Sequence, residues 1–285
     1  MASLKEVKGR IATVNNTRKI TSAMKMVASA KLHKAQGAIT NMLPYERRLH
    51  GLLTNLLGGS EVLVWNTPRE VKRVALVVFS SNSSLCGGFN ANVIKHATQW
   101  LDEHQALGKD NILIYPVGKK VADALSKMGY VIQGNFQHLA DKPSFAEAAE
   151  LAQGLMNLFT RGEVDRVELL YNHFKSTASQ ILIREVYLPM QTSGNTIEGK
   201  EDMDYILEPS CEELLATLLP KVLRMKLYTV LLDSNASEHA ARTMAMQIAT
   251  DNADDLLQEL TLMYNKTRQQ AITNELLDIV GGSMA

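Results

Sequence analysis

The chain has 285 residues, 46% of them hydrophobic and 21% charged, with 30 Lys/Arg balanced by 30 Asp/Glu. Such a composition can bury a core in one large or two ordinary domains, and zero net charge argues against nucleic acid as a partner. The 2 cysteines have no metal-ligand spacing and read as reduced thiols, and no run of eighteen apolar residues offers a membrane span. The amino terminus has no apolar segment of the kind that directs secretion, so the chain reads as cytoplasmic, with any membrane contact made through partners. Its charge is unevenly placed. Residues 1–48 carry a net +8, residues 49–209 a net −4 and residues 210–285 a net −4. A basic amino-terminal arm is thus electrostatically matched to an acidic carboxy-terminal one.

The first element is a long helix, since residues 3–43 contain no proline and only Gly9 and Gly37 weaken helix propensity. A heptad seam runs through Leu4, Val7, Ile11, Val14, Arg18, Thr21, Lys25, Ala28, Leu32, Ala35, Ile39 and Met42, apolar at nine of the twelve positions. The three polar positions are consecutive, and beside them Ile20, Ala23, Met24 and Val27 form a rotated apolar stripe. Two readings stay open at this point: a 3.6-residue helix drifting out of a 3.5 register, or a second partner on Arg18–Val27. The pattern continues past Pro44 to Leu52, Leu53, Leu56 and Leu57, and Gly58-Gly59-Ser60 ends it. Residues 1–60 therefore read as one coiled-coil helix.

Residues 70–190 read as an α/β domain with a Rossmann-like, mainly parallel sheet. Val74–Phe79 is a continuous apolar run, as in a strand buried on both faces. Asn111–Tyr115 and Tyr130–Ile132 give further strands, with helices near Asn92–Leu101, Val121–Met128 and Ser144–Phe159. Arg166–Tyr171 and Gln180–Tyr187 follow without a helix between them, as in an antiparallel hairpin. Strands alternating with helices imply right-handed parallel crossovers. The polar stretch 191–208 is an exposed connection. From 209 onward a second long helix is expected, begun by Pro209 with Glu212 and Glu213 in its first turn. No glycine or proline interrupts Lys221–Val280, and Ala245, Ala249, Leu256, Leu260, Met263, Ile272, Leu276 and Ile279 recur at helical spacing. Asp233-Ser-Asn235, three poor helix formers before a capping-like Asn235-Ala-Ser-Glu238, mark where a kink or break would fall. A helix of some sixty residues would be roughly 90 Å long, too long for its own domain, so it needs the first helix or an enclosing partner beside it.

No chemistry of catalysis is legible. The loop Ser80–Gly88 leaves the first strand where a nucleotide enzyme would bind phosphate, but it matches neither Gly-x-x-x-x-Gly-Lys-Ser/Thr nor Gly-x-Gly-x-x-Gly. Cys86 reads as a small buried hydrophobe, and the seven histidines have no metal-ligand spacing. No catalytic residue, cofactor or metal is assigned.

Several stretches nevertheless carry a likeness: Ile20-Thr-Ser-Ala-Met-Lys-Met-Val-Ala-Ser-Ala-Lys-Leu32, Leu85-Cys-Gly-Gly-Phe-Asn-Ala-Asn92, Ser237–Met246, Ala249–Ala253 and Ala271-Ile-Thr-Asn-Glu-Leu-Leu-Asp-Ile-Val-Gly-Gly282. Essentially end to end, the sequence resembles the gamma subunits of bacterial F-type ATP synthases. The resemblance implies an antiparallel coiled coil of the two end helices with an α/β domain at its foot, acting as a non-catalytic central rotor stalk. It implies one copy per complex, within a barrel of alpha and beta subunits, on a membrane ring of c subunits and beside an epsilon subunit. The place implied is the cytoplasmic face of the bacterial inner membrane, held there through partners. By the same resemblance Met24 and Lys25 lie against the acidic lever of the catalytic subunit. Arg242, Arg268, Gln269, Thr273 and Glu275 meet barrel loops, and Asp202, Tyr205 and Leu207 meet the ring and epsilon. The uncharged tip Ile279–Ala285 suits an apolar bearing. One departure is that relatives often read Asp-Arg-Gly or Asp-Lys-Gly before Leu-Cys-Gly, where this chain has Asn82-Ser83-Ser84. Two other classes compete with the stalk: a phosphate- or nucleotide-using α/β enzyme with coiled-coil arms, and a coiled-coil scaffold.

Overall fold

The computed structural model describes residues 3–57, 69–190, 208 and 210–283. Two helices dominate it, α1 (Leu4–Leu57) and α6 (Cys211–Ser283). Between them lie β1 (Val74–Phe79), α2 (Phe89–Glu103), β2 (Ile112–Val117), α3 (Lys119–Lys127), α4 (Gln137–Asp141), α5 (Phe145–Thr160), β3 (Arg166–Ser176) and β4 (Ser179–Leu188). At about 1.5 Å per residue α1 is roughly 80 Å long and α6 roughly 110 Å.

The sheet order is β2-β1-β3-β4. β1 runs parallel to both β2 and β3, and β3–β4 is the expected antiparallel hairpin. β1 is buried at every position, which explains its unbroken apolar sequence. Pro116 lies in β2, an edge strand, where a missing N–H costs no ladder bond. The strand expected at Tyr130–Ile132 shrinks to a single parallel bridge between Ile132 and Ile114. Three apolar residues are too few to hold a ladder at the sheet's margin, and Val131 is exposed.

α2 and α3 cover one face of the sheet through Val93, Ala97, Trp100, Val121 and Leu125. The other face is covered by α5 and by the long helices themselves, with Leu49 and Leu53 of α1 and Leu215, Leu219, Leu223, Leu227 and Leu231 of α6 in one core with the sheet. The shaft is therefore a layer of the α/β unit rather than an appendage to it. Glu168, a carboxylate in this interior, accepts from Trp100 Nε1 at 2.8 Å and from Arg184 Nε at 2.9 Å, with Arg166 Nε 2.7 Å away. A buried charge needs such partners to be tolerated.

α6 begins at Cys211 beside Ser210; Pro209, expected to begin it, lies outside the described residues. Ser210 Oγ accepts from Glu213 N at 3.3 Å, an N-cap bond. No break falls at Asp233–Asn235: α6 is one helix through it. The polar side chains there bond to the sheet unit instead of competing with the helix. Asp233 accepts from Phe174 N at 2.8 Å and pairs with His173 at 2.6 Å. Asn235 Nδ2 donates to Ala140 O at 2.7 Å, and Ser237 Oγ donates to Asn172 O at 2.9 Å. External acceptors remove the reason such residues leave helices.

Candidate functional site

α1 and α6 form an antiparallel coil, and the seam drawn from the sequence is the seam observed: all twelve positions are buried or half-buried. The helix does not drift at the three polar positions; it matches them. Arg18 pairs with Asp254 at 2.8 Å, the hydroxyls of Thr21 and Thr250 lie 2.8 Å apart, and Lys25 Nζ donates to Gln247 Oε1 at 2.5 Å. The rotated stripe is left outside, with Ile20 and Val27 60% and 59% exposed. Met24 flanks the seam and is half-buried, whereas the Lys25 ammonium is drawn into the coil.

On α6 the sequence-based face needs correction. Leu256, Met263, Ile272, Leu276 and Ile279 are exposed. The positions turned toward α1 are Met246, Thr250, Ala253, Leu257, Leu260 and Tyr264, buried or half-buried at heptad spacing. Leu260 belongs to both sets, and Ala245 and Ala249 of the expected face are half-buried. The error came from following the strongest hydrophobes, when the true seam carries a threonine and an alanine. The acidic and amide residues opposite Arg18 and Lys25 were the available signal.

Extended at the register of the three polar pairs, Leu4 comes level with Arg268. α6 thus continues beyond the end of α1, and residues 272–280 are all exposed. Leu276, Leu277 and Ile279 there show more than half their surface. Exposed apolar residues in such a row mark a contact surface. Arg268, Gln269, Thr273 and Glu275 stand on this segment, all exposed.

Arg242 is different. It lies about 40 Å down the helix from Arg268 and is only 9% exposed. Its guanidinium donates to Glu238 Oε1 at 2.5 Å and to Ser83 Oγ at 2.7 Å, with the Ser83 and Ser84 carbonyls at 3.5 and 3.4 Å. The residue therefore fastens the Ser80–Gly88 loop to the shaft. Burial raises the Glu238 pKa even though Arg242 opposes it. Burial and the Arg242 charge lower His239 to about 4.

The rest of that loop is organised from within. Ser80 Oγ accepts from Val121 N at 3.2 Å and Asn82 Oδ1 from Lys119 N at 2.9 Å, capping the first turn of α3. Asn90 Oδ1 accepts from Ser81 N at 3.1 Å. Gly118 takes φ +117, and a Cβ there would stand 2.1 Å from Ser80 O, so only glycine lets β1 and β2 exit side by side. Leu85 holds a left-handed φ of 67 while 59% exposed, presenting an apolar side chain outward. Among the described residues no cluster of three His, Cys, Asp or Glu could hold a metal, and no helix is long and apolar enough to cross a membrane. Asp202, Tyr205 and Leu207 lie outside the described residues.

The comparisons agree with this architecture. A family model described as ATP synthase matches residues 3–285. The ATP synthase gamma chain of Phocaeicola vulgatus is 69% identical over 292 residues, covering 100% of both chains. That of Bacteroides fragilis is 63% identical over 294 residues, again covering 100% of each. A chain from the Euglena gracilis mitochondrial ATP synthase superposes with TM-score 0.68 at 23% identity, covering 99% of this chain and 93% of that one. One from the Tetrahymena thermophila central stalk gives 0.58 at 21%, covering 81% and 99%. At those identities the two superpositions bear on the fold. With a helical coil, a mixed sheet built onto it and relatives matched end to end, the chain belongs to the ATP synthase gamma-chain family, the central-stalk subunits of F-type ATP synthases.

Proposed function

We propose that this chain turns as a rigid shaft inside a barrel of alpha and beta subunits, coupling ion flow through a membrane c ring to ATP synthesis or hydrolysis. The chain itself performs no chemistry. The observation that carries this reading is the distal end of α6, which exposes Leu276, Leu277 and Ile279 beyond the reach of α1. Apolar contacts are non-directional, so such a surface fits a sleeve in which it must rotate. Paired charges would favour particular angles.

Two levels of contact follow. The upper is Arg268, Gln269, Thr273 and Glu275 against barrel loops. The lower is the stripe around Met24, with Lys25 behind it, against an acidic lever of the catalytic subunit. Arg242 serves the lower level indirectly, by holding the Ser83–Leu85 loop in place. At the foot, Asp202, Tyr205 and Leu207 are assigned to the c ring and epsilon. The domain bounds that go with this reading are 1–60 and 209–285 for the coil, 70–190 for the α/β unit and 191–208 for the foot. One copy serves each complex, at the cytoplasmic face of the bacterial inner membrane and attached through its partners.

The test is co-purification from a tagged chain. Three alpha and three beta subunits per copy, with nucleotide turnover by the complex, is the expected result. Stable self-association without them, or turnover by the isolated chain, would overturn the reading.

A further inference from the structure

The three polar pairs of the seam invite a question that packing alone does not answer. Nine apolar positions would hold the coil together at any heptad register, and along the distal half no sheet lies against it to choose one. The pairs are consecutive in α1 and sit in that distal half. They consist of Arg18 with Asp254, Thr21 with Thr250, and Lys25 with Gln247. Gln247 is itself held, its Nε2 donating to Asp251 Oδ1 at 2.7 Å.

We propose that these six residues are a register key, positioning residues that fix the distal shaft at one axial setting of α1 against α6. A slip of one heptad is a displacement of roughly 10 Å. In one direction it puts Asp254 opposite Ile11 and Lys25 opposite Ala240. In the other it puts Gln247 opposite Leu32 and Thr21 opposite Leu257, leaving only Lys25 with an ionic partner, Asp254. The first slip also brings Arg18 opposite Gln247 and Thr21 opposite Thr243, but it sets Lys25, Thr250 and Asp254 against apolar side chains, as the second sets Gln247, Thr21 and Thr250. The cost at each position is modest, since Arg18 and Asp254 keep 40% and 46% of their side-chain surface in water and both threonine hydroxyls bond within their own helices, so the preference is a sum over the three pairs. An all-apolar seam would pay no such penalty and would bind more tightly while specifying less. The key deepens the stalk reading, since a shaft that sheared would change the height of its tip, but its existence does not depend on that reading.

The test uses the full chain with Cys86→Ala and Cys211→Ser as background. One reporter combines Val14→Cys with Leu257→Cys, which face each other at the present register. Two others combine Val14→Cys with Tyr264→Cys and Val7→Cys with Leu257→Cys, which meet only after a one-heptad slip in one direction or the other. With the key intact the first pair forms a disulfide on mild oxidation, and the shifted pairs reach less than about a tenth of that yield. The key is then erased by Arg18→Leu, Thr21→Val, Lys25→Leu, Gln247→Leu, Thr250→Val and Asp254→Leu. Circular dichroism should show a helical chain melting no lower than before, and a shifted disulfide should rise at least severalfold. Shifted yields that both stay below about a tenth would overturn the proposal and assign the register to the α/β unit alone. Exchanging one pair, Arg18→Asp with Asp254→Arg, should keep the present register, because the match survives the exchange. A rise of either shifted disulfide in that variant would also count against the key. No partner subunit enters these measurements, so they stand or fall separately from the rotary reading.

Discussion

Two stretches of the same helix make opposite use of their side chains. Between 230 and 240, every residue of α6 but Asp233 is buried, although this stretch contains Asp-Ser-Asn and the charged Glu238. Between 272 and 280, every residue is exposed, although this stretch contains Ile272, Leu276, Leu277, Ile279 and Val280. Helix propensity does not separate them. In the middle the helix is packed into the sheet unit, where β3 supplies partners to Asp233 and Ser237 and α4 to Asn235, while Arg242 of the same helix pairs with Glu238. At the end, among the described residues, the helix stays exposed and its apolar surface is left open. Hydrophobic and polar character thus do not by themselves say what is inside.

The sharpest way to break this contrast is to open the middle. Arg242→Ala leaves Glu238 buried without its cation and frees the Ser83–Ser84 loop, and should cost about 3 kcal/mol, the order found when one partner of a buried pair is removed. Urea unfolding of the isolated chain measures it, and a loss under about 1 kcal/mol would show that the loop stays fastened by other bonds. Acid probes the same region. His239 is less basic in the fold, at about 4, than its ordinary 6.5, so the unfolded chain binds more protons between those values. Stability from this group therefore rises with pH through that window and is lost on acidification from about 6.5 toward 4. Glu238, raised by burial, works in the opposite sense over the carboxylate range. His239→Gln should lose less stability than the parent between pH 7 and 4.5. Parallel pH profiles of the urea midpoint would contradict the assignment.

The distal end should respond in the other way. Removing Arg268 onward changes the isolated chain by less than about 0.5 kcal/mol, the scale of surface changes, while the yield of assembled barrel complex falls. Removing only Gly281–Ala285 should spare both. Equal complex yields from the two truncations would sink the assignment of the upper contact. The smallest effect on stability, and a large one on coupling, is expected from Met24→Lys. The half-buried methionine sits at the edge of the exposed stripe, so a lysine can reach outward without disturbing the seam. Ion transport per ATP hydrolysed is the measurement, and an unchanged ratio would separate Met24 from the lever.

Sequence alone determined the long helices, the α1 seam and the buried strand Val74–Phe79, because period and unbroken apolar runs are local properties that follow from backbone geometry. It also carried the family likeness, in motifs at both ends. What it misplaced depends on groups far apart in the chain. The seam of α6 runs through Thr250 and Ala253 because Arg18, Thr21 and Lys25 are opposite, and α6 alone holds no record of that. Asp233–Asn235 look like a break until Phe174, Ala140 and Asn172 supply partners. Arg242, on the resemblance a contact with other subunits, also bonds within the chain to Ser83 and Glu238, which no local pattern shows. Only the tertiary structure decided these points, since the energy of a polar side chain is set by what it meets, and a one-dimensional pattern does not say what that is.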